Sequence, residues 1–83
     1  MYFKSKYIVA RDGTPVVFAE VLTHADVARA LFGNTPIIGA GFCYIKGDRY
    51  VCYGESVSLR VTSRGEQDAE MLNRYLGAVE DDL

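Results

Sequence analysis

The chain has 83 residues, enough for one domain and one modest core, and a chain of this size buries only about 60–65% of its unfolded surface. With 49% hydrophobic and 24% charged residues and only two prolines, it reads as globular rather than disordered. Its net charge is −2, and its nine Lys and Arg residues are scattered from Lys4 to Arg74 without a run, which argues against a nucleic-acid partner of the duplex-binding kind. The N-terminal apolar run, Tyr7 to Ala10, is too short for a signal peptide, and nothing approaches the ~20 apolar residues of a membrane span. The expected location is cytoplasmic, with no membrane partner.

The first expected element is a strand from about Tyr2 to Arg11, rich in aromatic and β-branched residues. Asp12-Gly13-Thr14-Pro15 is a turn, and Val16 to Glu20 returns as the second strand of a hairpin. Thr23 to Phe32 forms the first helix. Thr23 is its N-cap, Asp26 sits in the first turn, and Val27, Ala28, Leu31 and Phe32 share a face before Gly33 ends the helix.

Ile37 to Ile45 and Tyr50 to Tyr53 are strands joined through Lys46-Gly47-Asp48-Arg49. Gly then Asp suits a two-residue type II′ turn, which pairs Lys46 with Arg49, Ile45 with Tyr50, Tyr44 with Val51 and Cys43 with Cys52. Both faces of this hairpin are apolar, so both need cover. Cys43 and Cys52 fall on a non-hydrogen-bonded pair, close enough for a disulfide, and a reducing compartment keeps them as thiols. Ser56 to Thr62 alternates as a half-buried strand. The second helix runs from about Gly65 to Leu76. Ser63 and Glu66 have capping-box spacing, Ala69, Leu72 and Leu76 make a buried stripe that Val79 would extend, Glu70 and Arg74 pair, and Gly77 ends the helix. The expectation is a single α+β domain over residues 1–83 with an acidic tail from about residue 78. It has a mixed sheet of about five strands and two helices, in the order β-β-α-β-β-β-α.

His24 is the only histidine. At the first position of a helix, the N-terminal partial charge favours its neutral form, while the following N–H groups, of Ala25 and Asp26, attract an anion. The stretch is then either a base beside an anion cradle or an ordinary helix start. In Tyr53-Gly54-Glu55-Ser56-Val57-Ser58, a Gly at a strand end precedes hydroxyl residues, which makes either a nest of N–H groups for an anion or a plain turn. Ile38-Gly39-Ala40-Gly41-Phe42 lacks the helix and third glycine of a dinucleotide fingerprint, so its small residues let backbone or ligand approach the sheet. Lys6 reads as a solvated strand side chain. Two cysteines and one histidine are too few for a four-ligand zinc site, so neither metal nor cofactor is expected.

Taken in order, "SKYIVAR", "THADVA", "GAGF" and "CYGES" resemble the Janus/Ocnus family, the protein-histidine phosphatases, over about Ser5 to Leu76. Members of that family carry a lysine in a first strand, a His-Ala-Asp motif, a Gly-rich strand and a Tyr-Gly-x-Ser loop. The resemblance implies a metal-independent phosphoramidate hydrolase acting on a phosphohistidine-bearing protein. In it His24 is the general base, and Lys6, the N–H groups of Ala25 and Asp26, and the Ser56, Val57, Ser58 loop hold phosphate. The family's Gly-rich strand continues with an arginine where this chain has Phe42, and a second family arginine falls near Val16. The family also adds a final strand after the second helix. A non-catalytic module of the same fold, binding an anion or a protein, is the alternative reading.

Overall fold

A computed structural model describes residues 4–77. Their order is β1 (Ser5–Ala10), β2 (Pro15–Phe18), α1 (His24–Phe32), β3 (Ile37–Lys46), β4 (Arg49–Tyr53), β5 (Glu55–Ser56), β6 (Val61–Thr62) and α2 (Glu66–Leu76). The fold is α+β, in an order close to the expected one. The tail from about residue 78, and Val79 with it, lies outside the described residues.

Four strands pair in the order β2-β1-β3-β4, while β5 and β6 form a two-stranded ribbon, and every pairing is antiparallel. The expected mixed sheet does not form, and the reason is topological. The β2–α1–β3 crossover sets β3 parallel to β2, but β1 lies between them, so no parallel ladder is made. β2 starts at Pro15, which has no N–H to donate and is tolerated at the first residue of an edge strand.

The two helices cover opposite faces of the sheet. Tyr7, Val9, Cys43 and Cys52 point one way and pack with Ala69 and Leu72 of α2. Ile8 and Ala40 point the other way, against Ala28 of α1, with Val16, Val27, Phe32, Leu59 and Val61 around them. Leu31 and Leu76 are exposed, so each helix seals the core through a narrower stripe than its spacing suggests. Glu70 and Arg74 make no ion pair among the described residues.

The β3–β4 hairpin has the register read from the turn, from Lys46↔Arg49 to Cys43↔Cys52. Gly47 has φ +68 and Asp48 has no positive φ, as a type II′ turn requires. Both cysteines are free and buried, and desolvation pushes each thiol up to about 12.

The expected strand Ser56 to Thr62 is instead a hairpin. Arg60 adopts φ +59, a left-handed conformation that ends extended structure, and its N–H bonds to the Val57 carbonyl at 3.3 Å. The Ser56 hydroxyl accepts from Leu59 N–H at 3.1 Å, closing the turn from inside. Leu59 and Val61 still reach the core, as the alternation implied, but Val57 stands 80% exposed.

The Ser63–Glu66 capping box does not form. Gly65 is the N-cap of α2, with no side-chain cap bond, and Ser63 Oγ accepts from Gly65 N–H at 3.0 Å. The buried Asp68 carboxylate does the work of a cap from within the helix. It accepts from Arg64 N–H at 2.8 Å, from Arg64 Nε at 2.7 Å and from the Tyr7 hydroxyl. The Tyr7 proton goes to the carboxylate, so the Ser63 hydroxyl, 2.7 Å away, donates to Tyr7. This group sits against Gly39, where any Cβ would collide with the Asp68 carboxylate. Gly39→Ala should therefore cost about 1–3 kcal/mol, the usual range for overpacking. Removing the opposing carboxylate should relieve part of that cost. In a urea-denaturation cycle, Gly39→Ala combined with Asp68→Ala should lose less stability than the two single changes added together, whereas strict additivity would refute the contact.

Candidate functional site

Thr23 caps α1 as read from the sequence. Its Oγ1 accepts from Asp26 N–H at 3.2 Å, which places His24 at the first helical position. That position lies over the β1–β3 part of the sheet. Lys6 of β1 is in register with Phe18 on one side and Phe42 on the other, so the three side chains share the face that α1 covers. The imidazole enters between the two phenyl rings and meets both edge-on, with centroids at 5.6 Å from Phe18 and 5.9 Å from Phe42. Only 4% of His24 remains exposed.

The ring is also tied down. His24 Nε2 lies 2.8 Å from the Gly41 carbonyl oxygen, which can only accept, so Nε2 carries a proton. In the neutral tautomer the lone pair is then on Nδ1, for which no hydrogen-bond partner stands among the described residues. The imidazole pKa is lowered from its usual value, chiefly by burial and further by the Lys6 charge. The Gly41 hydrogen bond opposes both. The direction matches the sequence expectation, while the leading cause is desolvation.

Gly41 makes room for this arrangement. A Cβ there would strike the Tyr53 carbonyl and crowd the Gly54–Glu55 backbone, which crosses this point of the sheet. Gly54 has φ +80, and a Cβ on it would touch the Phe42 ring at 3.0 Å. The two glycines thus let the chain after β4 fold closely against β3 and carry the β5–β6 ribbon towards the start of α1.

That path brings together several of the residues singled out from sequence. Ser58 Oγ accepts from Ala25 N–H at 3.2 Å, and Ser56 Oγ lies 3.5 Å from Ser58 Oγ. Lys6 is half-buried rather than solvated, and its Nζ donates to the Leu22 carbonyl at 2.8 Å, next to the helix start. No carboxylate pairs with it among the described residues. One expected contributor stands apart: the Asp26 N–H is held by Thr23 and its carboxylate pairs with Arg29 at 2.8 Å. Val57, expected to contribute its backbone, is exposed in the turn between β5 and β6. The Ala25 and Asp26 N–H groups are therefore both occupied by hydroxyls of the chain itself.

A hollow of about 380 Å³ opens alongside, between α1 and the ribbon. Ala25, Ala28, Ile37, Leu59 and Val61 line it together with Arg29 and Asn34. Lys6, His24, Ser56 and Ser58 do not line it, so it adjoins the hydroxyl cluster only through Ala25 and Leu59. Among the described residues, no three His, Cys, Asp or Glu side chains gather as a metal site would need, and no helix is long and apolar enough to cross a membrane.

Sequence reasoning missed the aromatic sleeve of Phe18 and Phe42 and the Asp68 network. For the sleeve no local signal exists, because it depends on the β2-β1-β3 register. For the network there was one: Asp68 lies four residues before Leu72, on the apolar stripe of α2, where an acid needs buried partners.

No family model matches the chain, and comparison with curated proteins and with solved structures finds no match.

Because the folded-state pKa of His24 lies below the unfolded value of ~6.5, falling pH protonates the unfolded chain first. The contribution of a neutral, buried His24 is thus complete above about pH 6.5 and is lost progressively below it. His24→Gln retains an N–H donor for the Gly41 carbonyl and removes the titration. Urea midpoints measured from pH 7.5 to 5.5 should fall more steeply for the parent than for this variant, and parallel curves would contradict the burial of the ring.

Proposed function

We propose that the chain is a non-catalytic anion-binding domain in which His24 holds the site together instead of activating water. The observation that carries this reading is the state of the imidazole, held between Phe18 and Phe42 with Nε2 committed to Gly41. A general base must come within hydrogen-bond reach of the proton it takes, and a ring only 4% exposed offers a substrate little approach. The anion site rests on Lys6, a half-buried cation with no carboxylate partner among the described residues, beside the α1 N-terminus. There Ser58 already occupies one helix N–H with an oxygen that an anion can replace. The ligand class is a phosphate monoester or phosphoramidate, free or carried by a protein.

One observation favours the hydrolase suggested by the Janus/Ocnus resemblance. With Nε2 donating, Nδ1 keeps a lone pair without a partner among the described residues, and the lowered pKa leaves it unprotonated at neutral pH. That reading lacks the family's two arginines, at Phe42 and near Val16, and guanidinium groups are the strongest bidentate holders of phosphate.

A single preparation separates the two. Under the anion-binding reading, inorganic phosphate shifts the backbone amide signals of Ala25 and Ser58, Lys6→Met weakens that binding, and phosphoramidate breaks down no faster than in buffer. Turnover by the parent that drops at least ~100-fold in His24→Ala, the scale for losing a general base, would establish the hydrolase instead. Amide signals indifferent to phosphate, with no turnover, would remove both.

A further inference from the structure

The face of the sheet that packs on α1 is larger than α1 covers. The helix seals the end built from Ile8 and Ala40. Beyond His24 the same face continues along the β3–β4 hairpin. Strand alternation and the register Phe42↔Tyr53, Tyr44↔Val51, Lys46↔Arg49 place these six side chains on it together, beside Lys6. Lys4 joins them, with Nζ 4.8 Å from the centre of the Phe42 ring.

Two features of this surface are unusual. The first is aromatic: Tyr53 is 41% exposed and lies 5.9 Å from both the Phe42 and the Tyr44 rings, so aromatic groups are grouped at an open sheet surface rather than in a core. The second is electrostatic. Four of the chain's nine Lys and Arg residues, Lys4, Lys6, Lys46 and Arg49, converge here although the chain as a whole carries −2. The carboxylates nearby include Glu20, engaged with Lys4 at 3.0 Å, Asp48 in the hairpin turn and the exposed Glu55, whose backbone runs against Gly41. Lys46 and Arg49 face each other directly across the hairpin with no ion-paired acid among the described residues. Like charges opposed in this way are destabilising. A polyanion laid across the hairpin removes that cost.

We propose that this face binds a single-stranded polynucleotide, with bases stacked on Tyr53 and the edge of the Phe42 ring and phosphates following Lys46, Arg49 and Lys6. Aromatic side chains interleaved with cations suit unpaired bases, whose faces are open to stacking, whereas a duplex hides those faces. An acidic peptide satisfies the cations but leaves the aromatic group without a matching partner. The proposal replaces the sequence expectation of no nucleic-acid partner. The cations are far apart along the chain and become a patch only through the β1-β3-β4 register. It goes beyond the phosphate reading and does not rest on it, since the hairpin, not the α1 N-terminus, supplies the stacking surface.

The test uses the full chain with fluorescein-labelled oligo(dT) and oligo(U) of about ten nucleotides, read by fluorescence anisotropy across a salt series. Both should bind, with log K falling against log salt at a slope of about −2, from about −0.7 for each of three phosphate contacts. A preference for oligo(U) assigns the site to RNA, and equal affinity assigns it to single strands in general. Tyr53→Ala should weaken binding about 10-fold or more. Lys46→Ala should reduce the slope by about 0.7. Both changes are at the surface, and unchanged thermal unfolding verifies the fold. Absence of salt-dependent binding would overturn the proposal, as would full affinity in both variants. Equal binding of a poly-glutamate peptide would also overturn it, by reducing the surface to a charge patch. Inorganic phosphate shifting Ala25 and Ser58 is read separately, and although Lys6 is common to both surfaces, the Tyr53 and Lys46 variants report on the hairpin alone, so either site can fail alone.

Discussion

The Gly41 carbonyl accepts the His24 hydrogen at a point of β3 where no side chain can stand. Much of the fold depends on this. The missing Cβ admits the backbone that follows Tyr53, and that backbone leads into the ribbon whose Ser58 meets Ala25. Two residues earlier, Gly39 gives the Asp68 carboxylate the same close approach, and Asp68 in turn anchors Arg64 and Tyr7, whose hydroxyl holds Ser63. A single strand thus serves as the contact surface for both helices, one through a histidine and the other through an acid. The His24 Nε2–H and the Asp68 carboxylate are each buried with a partner supplied, which is the condition for tolerating them there.

Much of this was legible in the sequence wherever the signal was local. The turn residues Gly47-Asp48 determined the β3–β4 register and with it the Cys43–Cys52 pairing, because a two-residue loop leaves no freedom to slip. Thr23 and Gly33 marked the ends of α1 for equally local reasons. The small residues of Gly39-Ala40-Gly41 announced close packing but not what would pack. Other features were hidden because distant parts of the chain decide them. Arg60 in a left-handed conformation broke a strand whose alternation was otherwise good, and the Asp68 network displaced a capping box whose spacing was correct.

The candidate site divides in the same way. That His24 starts a helix was readable, but its burial between Phe18 and Phe42 follows from β1 lying between β2 and β3. Ser56 and Ser58 were marked for their hydroxyls, and those hydroxyls do reach the helix start and each other. They serve first as internal partners, for Ala25 and Leu59, so an anion at the proposed site would compete with bonds already made. Such an exchange would be nearly neutral in hydrogen-bond count, and its driving force would have to come from charge, for which Lys6 is the nearby cation.

Phe42 connects the two surfaces considered above. It is in register with Lys6 and Tyr53, closes one side of the imidazole and carries Lys4 above its face. An arginine at this position would set a second cation beside Lys6 and next to the His24 ring, and would leave that ring without an apolar wall. The phenyl group does the opposite. It adds to the desolvation that keeps His24 neutral, and it extends the Tyr53 and Tyr44 cluster towards Lys6. An apolar ring, not a cation, thus stands at the point where the His24 site gives way to an exposed sheet face.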